Sequence, residues 1–310
     1  MKISGFTILR SGVRLGYPFE ASLRSLLPLV DELIVGVGDD DDGTWEAVAA
    51  IGDPKLRPFR SRWQLPSIAG NVLSEQTNLA LARCSGDWAI YLQADEVLHE
   101  DDLPILRETL ADHQHRRTEG LLFRYLHFWR DDRQVADDWL RFYPRAVRVV
   151  KRLPGIESAG DACGFVRRQR GRTRGLIKAD SGARVFHYGW CNPAELQAAR
   201  VENLGREMFG EQDRQEHAET VFGTAVARPF TGTHPRVMAA RIAAAPPATV
   251  AGVVTPRTPV WLRALGHVMR SPIASREAAR PFMPLPLTNA WWRIVEWKDA
   301  GSLPVVDRAG

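Results

Sequence analysis

Four short apolar runs, each followed by a segment with helical periodicity, constrain this chain more than any other feature. Residues 2–8, 33–37, 56–59 and 88–92 read as strands. After the first, residues 18–27 place Phe19, Leu23, Leu26 and Leu27 on one helical face, and Pro28 marks the end. Residues 44–51 suit a short helix. In 71–84, Leu73, Thr77, Ala80, Leu81 and Cys84 recur at helical spacing, and 102–113 carries Pro104 in a first turn with Leu103, Leu106 and Leu110 on one side. Such alternation predicts parallel strands joined by helical crossovers, hence an α/β domain over roughly the first 115 residues.

The pattern then changes. Residues 120–128, 146–151 and 184–188 read as strands without regular helices between them, which predicts a mixed extension of the sheet. Asn192-Pro193-Ala194-Glu195 carries a helix start, with a capping side chain, proline in the first turn and glutamate three residues after the cap. Residues 241–290 are rich in proline and alanine and have the weakest periodicity. The expected organisation is one domain over 1–210, divided near 115, with a helical C-terminal appendage over 211–310.

Bulk properties exclude several classes. Cys84, Cys163 and Cys191 lack metal spacing, and an odd count argues against a disulfide framework, so a reducing cytoplasmic compartment is expected. The first residues enter a strand pattern without a signal-peptide core, and no apolar stretch reaches membrane-spanning length. A net charge of +4 tilts the chain only slightly toward acidic partners.

The segment Asp87-Trp88-Ala89-Ile90-Tyr91-Leu92-Gln93-Ala94-Asp95-Glu96 concentrates the chemistry. A buried strand that ends in carboxylates puts negative charge at the rim of a sheet, and open α/β sheets bind ligands at the carboxyl ends of their strands. Carboxylates there also serve as ordinary helix N-terminal charges. The glycines Gly36 and Gly38 do not make a dinucleotide site, because acids occupy the phosphate turn and the third glycine is absent. No phosphate-binding loop of the G-x-x-x-x-G-K type occurs.

This segment resembles the D-x-D motif of glycosyltransferase family 2, the inverting transferases with the GT-A fold. Three companions fall in the family's order: the acidic loop 39–44, the helix around Asn78-Leu79-Ala80-Leu81, and the late His187-Tyr188-Gly189-Trp190. The resemblance covers about residues 1–210 and implies an open mixed sheet flanked by helices. It further implies a metal-dependent, inverting transfer of sugar from a nucleoside-diphosphate sugar to a hydroxyl of a saccharide or glycolipid. By the same resemblance Asp95 and His187 hold Mn²⁺ or Mg²⁺, with imidazole favouring Mn²⁺. Asp39, then Asp41, face the nucleoside, and Asn78 belongs to the nucleotide-sugar site. Gln93 stands where the motif's first Asp usually is; it adds no charge but can hydrogen-bond a ribose hydroxyl. Glu96 is a further ligand or an anchor. Asp161, with Glu157 as runner-up, is the expected general base, and a turn aspartate beside glycines is the plainer alternative.

Two other readings stay open: a nucleotidyltransferase, and a sugar-nucleotide-binding protein of this fold without activity. The first should carry a glycine-rich basic loop after strand one, where this chain has Leu9-Arg10-Ser11-Gly12-Val13-Arg14. The arginine run 167–174 suits an anionic acceptor or, more ordinarily, a solvated hairpin. Nucleic acid is not an expected partner, since aromatics do not interleave with the basic residues. Trp261, Leu262, Leu265, Val268 and Met269 share a face that suits peripheral membrane contact or packing on the chain's own domain.

Overall fold

The computed structural model describes residues 1–65, 72–137, 142–208 and 227–245. The first half follows the predicted alternation: β1 (Ile3–Leu9), α1 (Phe19–Leu26), β2 (Glu32–Gly38), α2 (Thr44–Ala50), β3 (Leu56–Ser61), α3 (Val72–Arg83) and β4 (Trp88–Tyr91). A short strand not foreseen in the sequence, β5 (Glu96–Leu98), follows, then α4 (Leu103–Asp112). Next come β6 (Gly120–Trp129), β7 (Gln134–Ala136), β8 (Arg145–Lys151), β9 (Ile156–Ala159), β10 (Gly164–Gln169), β11 (Arg172–Gly175) and β12 (Lys178–Trp190). The described chain closes with α5 (Ala194–Met208), β13 (Ala227–Pro229) and α6 (Ala239–Ala244).

Ten strands form one sheet. β3, β2, β1 and β4 run parallel, β8 enters antiparallel to β4, and β6 lies between β8 and β12. This is the open mixed α/β sheet flanked by helices that the resemblance to the GT-A fold implies. β9, β10 and β11 make a separate three-stranded meander.

The inner strands are apolar at nearly every position because both faces are covered. On β1, Ile3 and Leu9 point to the face packed by Leu23 and Leu26 of α1, Val48 of α2 and Leu106 of α4. Phe6 and Ile8 point the other way, toward Val72 and Ala80 of α3 and Phe165 of β10. β4 divides likewise, with Trp88 and Ile90 on the first face and Ala89 and Tyr91 on the second. One strand of alternating side chains therefore serves two cores.

Residues 227–245 of the expected appendage join the main domain. β13 pairs with β7, Met238 is buried beside Phe128 and Tyr188, and His99 bonds Thr233. The remainder of that appendage, including Trp261, Leu262, Leu265, Val268 and Met269, lies outside the described residues. Among the described residues no helix is long and apolar enough to cross a membrane.

The arginine run forms the β10–β11 hairpin. Arg167 and Arg174 clamp Glu119, which also accepts the Ile177 N–H, and Arg168 pairs with Glu157. Burial pushes the Glu119 carboxyl up, but the two guanidinium groups and the amide outweigh it and hold its pKa at about 2, below the ordinary 4.5. A depressed carboxylate pKa stabilises the fold fully above 4.5 and progressively less as pH falls toward 2. Urea midpoints followed from pH 5.5 to 2.5 should fall, and Glu119→Gln should flatten that slope; an unchanged slope would show that this latch contributes nothing.

Candidate active site

The parallel register brings the carboxyl ends of β2, β1 and β4 to one rim. Ile8 pairs with Gly36 and Phe6 with Tyr91, so the loops beginning at Arg10, Asp39 and Leu92 emerge side by side. The β4 strand stops because its chain turns back immediately: Glu96 N–H donates to the Gln93 carbonyl, and the Glu96 carboxylate accepts the Gln93 N–H at 3.1 Å. Glu96 is thus neither exposed nor available as a metal ligand. Its two oxygens take Arg148 Nε and Nη2 at 2.8 Å each, and Tyr125 Oη donates to it at 2.8 Å. Both members of this ion pair are fully buried. Of its two expected roles, it fills the anchoring one.

That turn presents Asp95 to β12. His187 pairs in register with Glu96 on one side and with His127 of β6 on the other. Asp95 Oδ2 lies 3.6 Å from His187 Nε2, and both side chains are largely buried. Burial raises the Asp95 carboxyl pKa, but the protonated form of His187 and the Arg200 guanidinium outweigh it and hold the group below the usual carboxylate range. The acid and histidine expected to share a metal therefore meet in space, although 92 positions separate them.

Gly189 completes this contact. A β-carbon there would stand 2.6 Å from Asp95 Oδ2 and 2.7 Å from His187 Nε2, inside the space both donor atoms border. Arg200, buried in α5, donates to the Gly189, Leu15 and Gly16 carbonyls and so fixes the glycine against the loop after β1. The residues fit a hard divalent ion. A carboxylate oxygen and an imidazole nitrogen 3.6 Å apart are within reach of one ion bonded to each at roughly 2.1 Å, with further positions left for phosphate oxygens and water. Among the described residues no cluster of three or more metal-ligating side chains occurs.

The other expected residues divide. Asp39 stands exposed at the end of β2, and its Oδ1 accepts the Trp63 N–H at 3.3 Å. Asp41 is exposed beside it, whereas Asp40 and Asp42 are taken up in holding the loop after β1 through Ser11 and the Arg14 side chain and backbone. Gln93 is half-buried in the turn after β4, with its side chain beside the Tyr91 hydroxyl. Asn78 lies on α3 with both ends of its amide on the Ser158 backbone, at 3.0 and 2.8 Å, and so moors β9 to that helix. Asp161 occupies the β9–β10 turn, exposed, with Oδ1 accepting the Cys163 N–H. Arg148 Nη1 donates to the Cys163 carbonyl at 2.9 Å, so one buried guanidinium ties this turn to the Asp95 turn. Glu157 is engaged by Arg168. His127 and Arg200 went unnoticed in the sequence, and Gly189 entered only as a member of the His187–Trp190 motif, since a lone histidine, glycine or helical arginine carries no signal until the strands are paired.

No family model matches this sequence, and no curated protein matches it. Solved structures do resemble it. Residues 1–349 of S. aureus TarS align over 100% of this chain and 94% of that one, at 12% identity and a TM-score of 0.39. Against a longer TarS structure the alignment spans 71% of this chain and 42% of the other, at 13% identity and a TM-score of 0.37. Glucosyl-3-phosphoglycerate synthase from Mycobacterium tuberculosis, solved with Mn²⁺, uridine diphosphate and glucosyl-3-phosphoglycerate, aligns over 41% of this chain and 44% of its own. The identity is 20% and the TM-score 0.29. The 4-diphosphocytidyl-2C-methyl-D-erythritol synthase of Anaerococcus prevotii gives 14% identity over 48% of this chain and 70% of its own, with a TM-score of 0.32. Scores this low carry no activity across to this chain.

Two substitutions probe the geometry. Gly189→Ala requires no left-handed backbone, so its cost should fall on the site: Mn²⁺ affinity should drop at least about tenfold with little change in melting temperature. Wild-type affinity in that variant would show that the Asp95–His187 gap holds no ion. Arg148→Met strands a buried carboxylate and should lower unfolding free energy by about 3–5 kcal/mol in urea titration; a loss below about 1 kcal/mol would contradict the anchoring role.

Proposed function

We propose that this protein is a metal-assisted, inverting glycosyltransferase that moves a sugar from a nucleoside diphosphate to the hydroxyl of a saccharide or lipid-linked acceptor. The observation that carries this reading is the 3.6 Å approach of Asp95 to His187 beside a glycine, on the rim where Asp39 also emerges. Asp95 and His187 would hold Mn²⁺ or Mg²⁺, which supplies neutralisation of the departing diphosphate. Asp39, with Asp41 beside it, binds the nucleoside, and Gln93 meets the ribose. Asn78 contributes to the nucleotide-sugar site by holding β9 against α3. Arg200 adds fixed positive charge behind Asp95 and favours anionic ligands there.

The acceptor side belongs to Asp161. As the acceptor oxygen bonds to the anomeric carbon, the bond from that carbon to phosphate oxygen breaks, and the acceptor's proton passes to the Asp161 carboxylate. One displacement inverts the anomeric configuration. The diphosphate leaves with the bonding electron pair. An exposed turn aspartate suits this task, because its carboxylate is open to an incoming hydroxyl and can accept the proton while the bond forms.

A panel of UDP-, GDP-, ADP- and TDP-sugars with Mn²⁺ tests the reading. One donor should raise the melting temperature and turn over, since a ligand of the native state stabilises it. Asp95→Asn should abolish metal-dependent turnover, and Asp161→Asn should lower kcat at least about a hundredfold while donor binding survives. Metal-independent donor binding without turnover would instead identify a binding protein, and release of pyrophosphate from nucleoside triphosphates a nucleotidyltransferase.

A further inference from the structure

His187 has two ring nitrogens, and what its second one does decides what its first can do. Nδ1 of His187 lies 2.9 Å from Nδ1 of His127, and Nε2 of His127 lies 2.8 Å from the Tyr143 carbonyl oxygen. A carbonyl only accepts, so His127 Nε2 carries the hydrogen. A neutral imidazole carries one, which makes His127 Nδ1 an acceptor. His187 Nδ1 must then donate to it. The consequence falls at the other end of the second ring: His187 Nε2 bears a lone pair, facing Asp95 Oδ2 at 3.6 Å. Two acceptor atoms held toward one gap are satisfied by a cation between them.

The relay is built rigidly. His127 and His187 pair in register on β6 and β12, and their rings meet nearly perpendicular, at 82°. The His127 ring stacks on Tyr125 at 5.0 Å and meets Tyr143 and Phe142 at 4.9 and 5.2 Å, which prevents it from turning over. Both histidines are more than nine-tenths buried.

We propose that His127 is a positioning residue that locks His187 in the Nδ1–H tautomer and thereby presents Nε2, together with Asp95, to a divalent cation. This rests on the metal-assisted reading of the same site. Carbonyls and carboxylates that fix metal-binding histidines change affinity by roughly 10–100-fold when removed. Here a second imidazole, itself oriented by a carbonyl, takes that place.

The test separates the relay from the metal. In the full, metal-free chain labelled with ¹⁵N-histidine at pH 8, His187 should show a protonated Nδ1 and a pyridine-type Nε2, assigned by loss of its signals in His187→Ala. His127→Phe keeps an aromatic ring but removes the acceptor; it should mix the His187 tautomers and weaken Mn²⁺ binding, followed by electron paramagnetic resonance, at least about tenfold. His127→Asn places an amide oxygen near the lost Nδ1 and should restore affinity to within about threefold of wild type. A purely structural histidine would make both variants alike. A protonated Nε2 in the wild-type chain, or unaltered Mn²⁺ affinity in His127→Phe, overturns the proposal, and the wild-type spectrum decides even where His127→Phe fails to fold. Failure of the wild-type chain to bind Mn²⁺ would overturn the metal-assisted reading instead, while the spectrum still reports on the tautomer.

Discussion

The bidentate pair between Glu96 and Arg148 is the interaction on which this site depends. Two opposite charges without any exposure exist in a protein core only because each satisfies the other and their remaining hydrogen-bonding groups find partners. Glu96 meets that demand with the Tyr125 hydroxyl and the Gln93 amide. Arg148 meets it with the Cys163 carbonyl, its guanidinium lying between the Tyr91 and Tyr125 rings. Each partner comes from a different part of the chain. The pair therefore joins the turn after β4, the centre of β6, the strand β8 and the β9–β10 turn. Asp95 and Asp161 are carried on the two loops so joined.

Around this anchor, charge is arranged by purpose. Glu119 gathers Arg167 and Arg174, and Glu157 takes Arg168, so much of the basic meander is neutralised within the fold. Asp40 and Asp42 are likewise consumed in joining the loops after β1 and β2. Asp95 differs. Its basic neighbours among the described residues are an imidazole and a buried guanidinium engaged with carbonyls, which leaves the carboxylate oriented without a tight ion pair. An oriented carboxylate held short of full pairing suits a ligand that arrives with its own charge.

The sheet's first half was legible because apolar runs of four to seven residues alternate with amphipathic helices, and both periods survive in a single sequence. β5 was not, since three residues have no period and its pairing to β12 spans nearly ninety positions. Asp95 and His187 could be singled out from a motif and its order. The acidic loop could be located, but not which of its carboxylates serve the fold, because that depends on the Ser11 and Arg14 groups that meet them. Asn78 shows the same division: its place on α3 was readable, while its bond to Ser158 was not.

From its order of residues alone this chain determined an α/β sheet, the rim at which carboxylates gather, and a histidine late enough in the chain to reach them. Local pattern suffices for these, because helix and strand periods and strand ends are properties of neighbouring residues. Tertiary structure alone decided that Glu96 turns inward to Arg148, that Gly189 leaves room between Asp95 and His187, and that His127 stands behind the second histidine. Those facts follow from strand register, and register is settled by which side chains bury together across the sheet rather than by any segment's own sequence.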